Sequence, residues 1–101
     1  MARLIWTLQA VEDMEAICNF IARDSPRYAQ LFAQRVFSAA ERLSLFPSSG
    51  RVVPEILQDD IREVLLGNYR VIYRIKREEV QVLAVYHSAR LLDPHQFDSE
   101  P

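Results

Sequence analysis

The spacing of apolar residues predicts one short strand and two helices in the first half of the chain. Arg3 to Thr7 is a short β-prone run and is predicted as a strand. From Leu8 to Arg23 apolar residues recur at three- and four-residue steps, which is the period of an amphipathic helix. A second helix is predicted from Pro26 to Phe46, with Ser25 as its N-cap, because proline suits the first helical position. The residues predicted to face the core are Val11, Met14, Ile17, Cys18 and Ile21 in the first helix and Ala29, Phe32, Val36, Ala39, Ala40, Leu43 and Phe46 in the second.

The second half of the chain changes to the two-residue period of β-strands. Ile61–Leu66, Tyr69–Arg77 and Val80–His87 are predicted as three consecutive strands. Gly67-Asn68 is a two-residue turn of the kind that joins neighbouring antiparallel strands. The last of the three runs is almost wholly apolar, as expected of a central strand. The order of elements therefore predicts an antiparallel three-stranded meander after a helical hairpin.

These elements predict a single α+β domain over residues 1–101, with both helices packed on one face of the sheet. The opposite face is then expected to be bare, with Ile72 and either Ile61 or Leu65 exposed among arginines. Two segments offer an alternative cover for that face. One is the extended loop or edge segment from Arg51 to Asp60, and the other is the tail after Arg90, which is expected to be a short loop with a frayed end.

Composition narrows the range of functions. The formal net charge is −2, whereas proteins that grip a nucleic-acid backbone usually carry a basic excess. A lone cysteine, Cys18, suits a reducing compartment, and it has no metal-ligand spacing to His87 or His95, so no metal or cofactor is expected. No apolar run approaches the length of a membrane span. The chain is therefore expected to be cytoplasmic, with no membrane partner.

Several motifs, in order along nearly the whole chain, resemble the RelE/ParE superfamily of toxins from type II toxin–antitoxin systems. They include Ile5-Trp6-Thr7, Phe46-Pro47-Ser48-Ser49-Gly50-Arg51 and Val53-Pro54-Glu55. The most specific piece is Gly67-x-Tyr69-Arg70-x-x-Tyr73, followed by Val82-x-x-Val85-x-His87. The resemblance implies a toxin of the growth-inhibiting, plasmid-stabilising kind that forms a hetero-oligomer with a cognate antitoxin.

The resemblance leaves the cellular target open. RelE-like members cut mRNA on the ribosome, whereas ParE-like members poison DNA gyrase. Of the groups that RelE-like nucleases use, this chain matches only Arg70 and His87. The paired basic residues expected one strand earlier are replaced by Ile61 and Glu63, and Glu63 would repel a phosphate. The incomplete set favours the ParE-like interpretation, with ribosome-dependent RNA cleavage and an inactive antitoxin-binding module as the alternatives.

Five residues are candidates for binding the target or the antitoxin, and three of them have simpler explanations, among them Arg90, which is equally consistent with a solvent-facing residue. An apolar patch rimmed by cations would suit an amphipathic, acidic antitoxin segment. Arg70 and Arg74 alternate with Ile72 on one strand, and a solvated sheet face or binding to acids of the antitoxin is favoured for them over catalysis. His87 is as consistent with a hydrogen-bonded structural histidine as with a general acid. The predicted binding residues are Arg62, Arg70, Ile72, Arg74 and Arg90, and the catalytic residues, if the protein is a nuclease, are Arg70 and His87.

Overall fold

Two α-helices and a five-stranded sheet make up the computed structural model, which describes residues 2–98. The predicted α+β architecture is confirmed, with shifts of one residue at several element ends. The elements in chain order are β1 (Arg3–Trp6), α1 (Leu8–Ala22), α2 (Pro26–Leu45), a 3₁₀ turn (Pro47–Ser49), β2 (Arg51–Val52), β3 (Ile61–Leu66), β4 (Tyr69–Lys76) and β5 (Glu79–His87). Neither helix in this part of the chain is long and apolar enough to cross a bilayer.

Hydroxyl caps fix where both helices begin. The Thr7 side chain accepts a hydrogen bond from the Ala10 backbone N–H, and Ser25 accepts one from Tyr28, both at 3.1 Å. Each bond satisfies an N–H that the first helical turn would otherwise leave without a partner. The predicted apolar faces of the helices need two corrections. In α1, Val11 is 48% exposed, while Ala10 beside it is fully buried. In the second helix, Phe46 is 61% exposed because the helix ends before it.

The strands lie in the order β1-β5-β4-β3-β2, so the N-terminal strand joins the meander at its edge. β1 runs parallel to β5, and the other neighbouring strands are antiparallel. β2 lies in the segment predicted as an extended loop or edge and pairs with β3 over two residues. Beyond the end of β1, the Asp13 carboxylate accepts a hydrogen bond from the Val85 backbone N–H at 2.9 Å. A side chain from α1 thus protects the β5 edge where β1 stops.

Both helices pack on one face of the sheet, as predicted. The buried cluster there combines residues of the helices with residues of β4 and β5, including Ala10, Phe32, Val36, Val71 and Val85. Trp6 borders this cluster, and its ring meets Phe37 edge-on with 5.2 Å between ring centroids. The alternation predicted for β4 is confirmed, since Tyr69, Val71 and Tyr73 all belong to clusters on this side.

The prediction that the opposite sheet face is bare is wrong. Ile61 and Ile72 have no exposed surface, because Val53 and Ile56 of the loop and Leu92 and Phe97 of the tail pack over them. Of the residues expected to be exposed there, only Leu65 is so, at 49%. The tail is therefore an ordered part of the core up to residue 98. The frayed end predicted for residues 99–101 lies outside the described residues.

Candidate functional site

Arg70 is the centre of a buried network of charges on the sheet face away from the helices. Its guanidinium donates to both Glu55 oxygens, at 2.8 and 2.9 Å, and to Glu63 at 2.7 Å. A further hydrogen bond of 3.2 Å goes to the backbone carbonyl of Arg90. These partners lie on the loop, on β3 and on the tail. One side chain therefore ties both covering segments to the sheet.

Both carboxylates of the network are paired with arginines. Glu63 is inaccessible to solvent and is also paired with Arg51, whose Nε lies 2.6 Å from its second oxygen. The hydrogen bond from Arg70 lowers the pKa of Glu55 to about 2, and a bond from the Leu92 N–H at 3.1 Å acts in the same direction. Glu55 in turn raises the pKa of Arg70. The Arg70 charge is therefore compensated inside the protein.

Arg70 and His87, the two residues matched to nuclease groups, lie on opposite faces of the sheet. Tyr69 is paired with His87 across β4 and β5, whereas Arg70 is paired with Tyr86. The Tyr69 ring contacts Phe32 of α2 and the edge of the His87 ring, with centroid distances of 5.0 and 5.6 Å. Paired residues share a face and successive residues alternate. His87 is thus on the helix side and Arg70 on the side covered by the loop and tail.

His87 itself is exposed at the end of β5. Its Nδ1 accepts a hydrogen bond of 3.1 Å from the backbone N–H of Ala89. His87 thus makes the hydrogen bond expected of a structural histidine, although at an exposed position, and it is not a partner of Arg70.

Three of the predicted binding residues are occupied within the fold. Ile72 is fully buried. Arg74 is 7% exposed, donates to the Phe97 carbonyl at 2.8 Å and lies 3.7 Å from the Asp60 carboxylate. Arg62 is half-buried and donates to the carbonyls of Asp59 and Gly50, each at 3.0 Å. These contacts fasten loops to the sheet, so the predicted patch of Ile72 among free arginines does not form.

Arg90 is the predicted binding residue that remains on the surface. Its guanidinium carbon lies 4.1 Å from the centre of the Tyr86 ring, within the range of a cation–π contact. Leu91 follows it and is 85% exposed. An arginine held over an aromatic ring beside an exposed leucine is a small surface suited to another protein.

A larger surface lies along α2, which the sequence did not single out. Two adjoining depressions share Arg35 and Leu66, and Leu31, Ser38 and Arg42 line the second of them. A third, whose lining includes Glu41, Arg42, Leu45 and Phe46, continues toward the end of the helix. We call the three together the α2 groove.

The α2 groove is cationic although the whole chain is acidic. Its lining contains Arg35 and Arg42 against a single acid, Glu41. Within residues 2–98, neither Arg35 nor Arg42 has an ion pair. Its apolar members, Leu31 and Leu45, are 39% and 56% exposed. Both leucines lie outside the buried face of α2. Apolar residues at such positions indicate an exposed apolar surface, and the groove could have been predicted from them.

A family model and a similar protein identify the family of the chain, and a solved structure shares its fold. Residues 4–92 match the family model described as the ParE toxin of the type II toxin–antitoxin system parDE. The chain is similar to Toxin RelE2 of Caulobacter vibrioides, with 33% identity over 91 residues that span 90% of this chain and all of that protein. Among solved structures it resembles a chain of a chromosomal ParDE TA system from P. aeruginosa, with a TM-score of 0.71 and 23% identity. That match covers 86% of this chain and 96% of the other.

Proposed function

Because the chain belongs to the ParE toxin family of type II toxin–antitoxin systems, we propose that it inhibits growth by poisoning DNA gyrase in the cytoplasm. The observation that carries this proposal is the placement of Arg70 and His87 on opposite sheet faces. A protein that acts by binding needs a surface, whereas RNA cleavage needs groups that converge on one phosphate.

The separation of Arg70 from His87 supports binding over RNA cleavage, because cleavage needs several groups at one phosphate. The reaction needs a base for the 2′-hydroxyl, an acid for the leaving oxygen and cations for the developing phosphorane charge. His87 offers one titratable group at an exposed strand end. The cation expected beside it is buried and bound to Glu55 and Glu63. Without convergence on one side of the sheet, binding to a protein target is the better-supported mode of action.

A cognate antitoxin is the second part of the proposal. The solved relative comes from a ParDE system, and a toxin must be held silent in the cell that makes it. The α2 groove combines exposed leucines with unpaired arginines, which is the complement of an acidic amphipathic segment. We therefore propose a hetero-oligomer in which the antitoxin covers the α2 groove.

Gyrase and ribosome assays test the target directly. Purified toxin is incubated with gyrase and supercoiled DNA, and in parallel with translating ribosomes and mRNA. The proposal expects inhibited or trapped gyrase and intact mRNA, with His87→Ala as active as the parent chain. Cut mRNA that disappears in His87→Ala would instead establish a ribosome-dependent nuclease.

Expression in bacteria provides the cellular readout. A gyrase poison is expected to cause filamentation and a DNA-damage response, both prevented by co-expression of the product of the adjacent reading frame. Unimpaired growth at verified expression would refute the toxin activity and leave an inactive antitoxin-binding module.

A further inference from the structure

The loop that follows β5 has no regular secondary structure, yet its backbone is held at nearly every residue. The Ser88 N–H donates a hydrogen bond to the Asn68 carbonyl at 2.7 Å. The N–H groups of Ala89 and Arg90 donate to the Nδ1 and the carbonyl oxygen of His87, at 3.1 and 3.0 Å. The turn between β3 and β4 and the end of β5 thus fix the first half of this loop.

The second half of the same loop is held by the buried charge network. The Arg90 carbonyl accepts the 3.2 Å hydrogen bond from Arg70, and the Leu92 N–H donates to Glu55 at 3.1 Å. The Leu92 side chain is buried in the apolar cluster under the tail. Leu91 lies between these two attachments, so its backbone is fixed on both sides.

Leu91 projects from this fixed backbone into solvent. It is 85% exposed, the highest value for a large apolar residue within residues 2–98. A backbone that is already fixed loses little conformational entropy when a partner buries the side chain it carries. Leu91 is therefore well placed to enter an apolar pocket of another protein.

Arg90 is held beside Leu91 by an aromatic ring. Its guanidinium carbon lies 4.1 Å from the centre of the Tyr86 ring, and the Tyr86 hydroxyl accepts a hydrogen bond from the Gln96 side chain at 2.7 Å. Within the described part of the chain, the cation–π contact is the interaction of this guanidinium, and no carboxylate pairs with it. Its N–H donors are therefore available, at a fixed place, to an acceptor on another molecule.

We propose that Arg90 and Leu91 form the tip with which the toxin recognises its protein target, and that Leu91 fills an apolar pocket whose rim carries a carboxylate for Arg90. The inference rests on the proposed function, which supplies a protein as the target. A carboxylate is expected at the rim because it matches the guanidinium in charge and in its two-pronged geometry. Burial of the leucine and pairing of the arginine then occur at one place, as in the small central clusters that dominate protein interfaces.

Charge and shape argue against a nucleic acid as the partner of the tip. A phosphate backbone is bound by several cations together. Residues 87–98 contain one arginine and no lysine, against the two acids Asp93 and Asp98. An exposed leucine also gains nothing from a phosphate, whereas a protein pocket uses both Arg90 and Leu91.

The tip and the α2 groove lie on opposite sides of the sheet. Tyr86, beneath Arg90, belongs to the apolar cluster covered by the loop and the tail, whereas Leu66 lines the groove on the helix side. A substitution in the tip should therefore weaken binding of the target and leave intact binding of the antitoxin proposed for the groove. A substitution that damaged the fold would weaken both.

Four variants of the full chain test the tip by inhibition of purified gyrase. Leu91→Ser and Arg90→Ala change the tip. Leu8→Ser and Arg77→Ala are the matched controls, because Leu8 is 75% exposed at the start of α1 and Arg77 is exposed in the turn between β4 and β5. Each tip variant is expected to raise the toxin concentration that half-inhibits supercoiling at least about tenfold, since the lost burial or ion pair contributes about that factor. The controls should stay within about twofold of the parent chain.

Two further measurements separate recognition from a structural role. Titration with the product of the adjacent reading frame should give affinities within about threefold of the parent for all four variants, because the tip and the groove are separate sites. Arg90→Lys keeps the charge and loses the planar fork, so its inhibition of gyrase should lie between those of the parent and Arg90→Ala.

Each other outcome overturns the inference in a distinguishable way. If the parent inhibits gyrase and both tip variants inhibit it equally well, the tip is refuted and the proposed function stands. If Arg90→Ala alone weakens inhibition, the apolar pocket is refuted. If a tip variant loses antitoxin binding as much as gyrase inhibition, the tip supports the fold and recognises no target.

Two outcomes would assign the tip to no target at all. If the parent chain does not inhibit gyrase, the proposed function fails, and the inference fails with it. If the parent chain is a dimer that Leu91→Ser converts to a monomer, the tip binds a second copy of the toxin.

Discussion

Replacing Arg70 by leucine should lower the free energy of unfolding substantially, because Arg70 holds the fold together and is not a reactive group. The guanidinium gives hydrogen bonds to Glu55, Glu63 and the Arg90 carbonyl. In Arg70→Leu the Glu63 carboxylate, which has no exposed surface, keeps only Arg51. The Arg51 side chain is 59% exposed and cannot compensate a buried charge fully.

The size of the effect follows from the burial of the pair. Removing one partner of a buried ion pair costs about 3–5 kcal/mol, because the remaining charge stays without its partner in a poorly solvated site. The unfolding entropy of a domain of this length is about 0.2 kcal/mol/K near the midpoint. Arg70→Leu is therefore expected to lower the melting temperature by about 15–25 °C.

Thermal and urea unfolding followed by circular dichroism at pH 7 measure this loss. Arg90→Ala is the matched control, since it removes an exposed arginine, and it should change the unfolding free energy by less than about 1 kcal/mol. A double variant, Arg70→Leu with Glu63→Leu, should recover part of the loss because it also removes the stranded carboxylate. A melting temperature of Arg70→Leu within about 3 °C of the parent would refute the network as a source of stability.

Three further changes test other parts of the fold. Because the folded-state pKa of Glu55 is about 2 and its ordinary value is 4.5, its pairing with Arg70 stabilises the fold fully above about pH 4.5 and loses that effect as pH falls toward 2. The advantage of the parent chain over Glu55→Gln in urea unfolding should therefore shrink by about 2 kcal/mol between pH 6 and pH 3, and a constant difference would contradict the assignment. Tyr73→Phe removes a hydroxyl that donates to a backbone carbonyl at 2.7 Å and accepts from a backbone N–H at 3.0 Å, so it should cost about 1–3 kcal/mol in the same assay, whereas an unchanged midpoint would exclude that role. Phe97→Ala should cost about 2–4 kcal/mol and increase binding of a hydrophobic dye, and parent-like values of both would mean that the tail does not seal the sheet.

The regular elements were predictable because their physical signals are local. The three-residue step of α1 and α2, the caps Thr7 and Ser25, and the Gly67 turn act within a few residues of sequence. The structure gives Gly67 a φ of +57°, which glycine adopts without steric cost. Local signals of this kind were sufficient to predict the type and order of the elements. The alternation of side chains along β4 was predictable for the same reason.

The covering of the second sheet face was not predictable in the same way. The tail has no repeating pattern, and its two buried residues, Leu92 and Phe97, are five positions apart. Their burial depends on contacts with distant residues, since Arg74 binds the Phe97 carbonyl and Arg70 binds Glu55. An arginine and a glutamate fifteen positions apart can be a solvated pair or a buried one, and only the fold decides.

The interpretation of Glu63 from the sequence differs from its interpretation in the fold. Taken alone, its carboxylate argues against a phosphate site because it would repel the substrate. In the fold, Arg51 and Arg70 neutralise it, so the argument against a phosphate site no longer rests on its charge. It rests on the Arg70 guanidinium being occupied and facing away from His87.

The motif Gly67-x-Tyr69-Arg70-x-x-Tyr73 therefore predicts the fold, and it does not predict whether the protein cleaves RNA. Gly67 forms the turn, Tyr69 packs on Phe32, Arg70 ties the loop and tail to the sheet, and Tyr73 binds the segment after α2. Each motif residue has a partner within the domain, so a match to the motif is consistent with a gyrase poison and with a nuclease alike. The residues that separate the two must be those that leave the fold intact when changed. Toxicity that maps to exposed positions, among them Arg90 and the lining of the α2 groove, would locate the target surface, whereas loss of toxicity in motif variants would report loss of the fold.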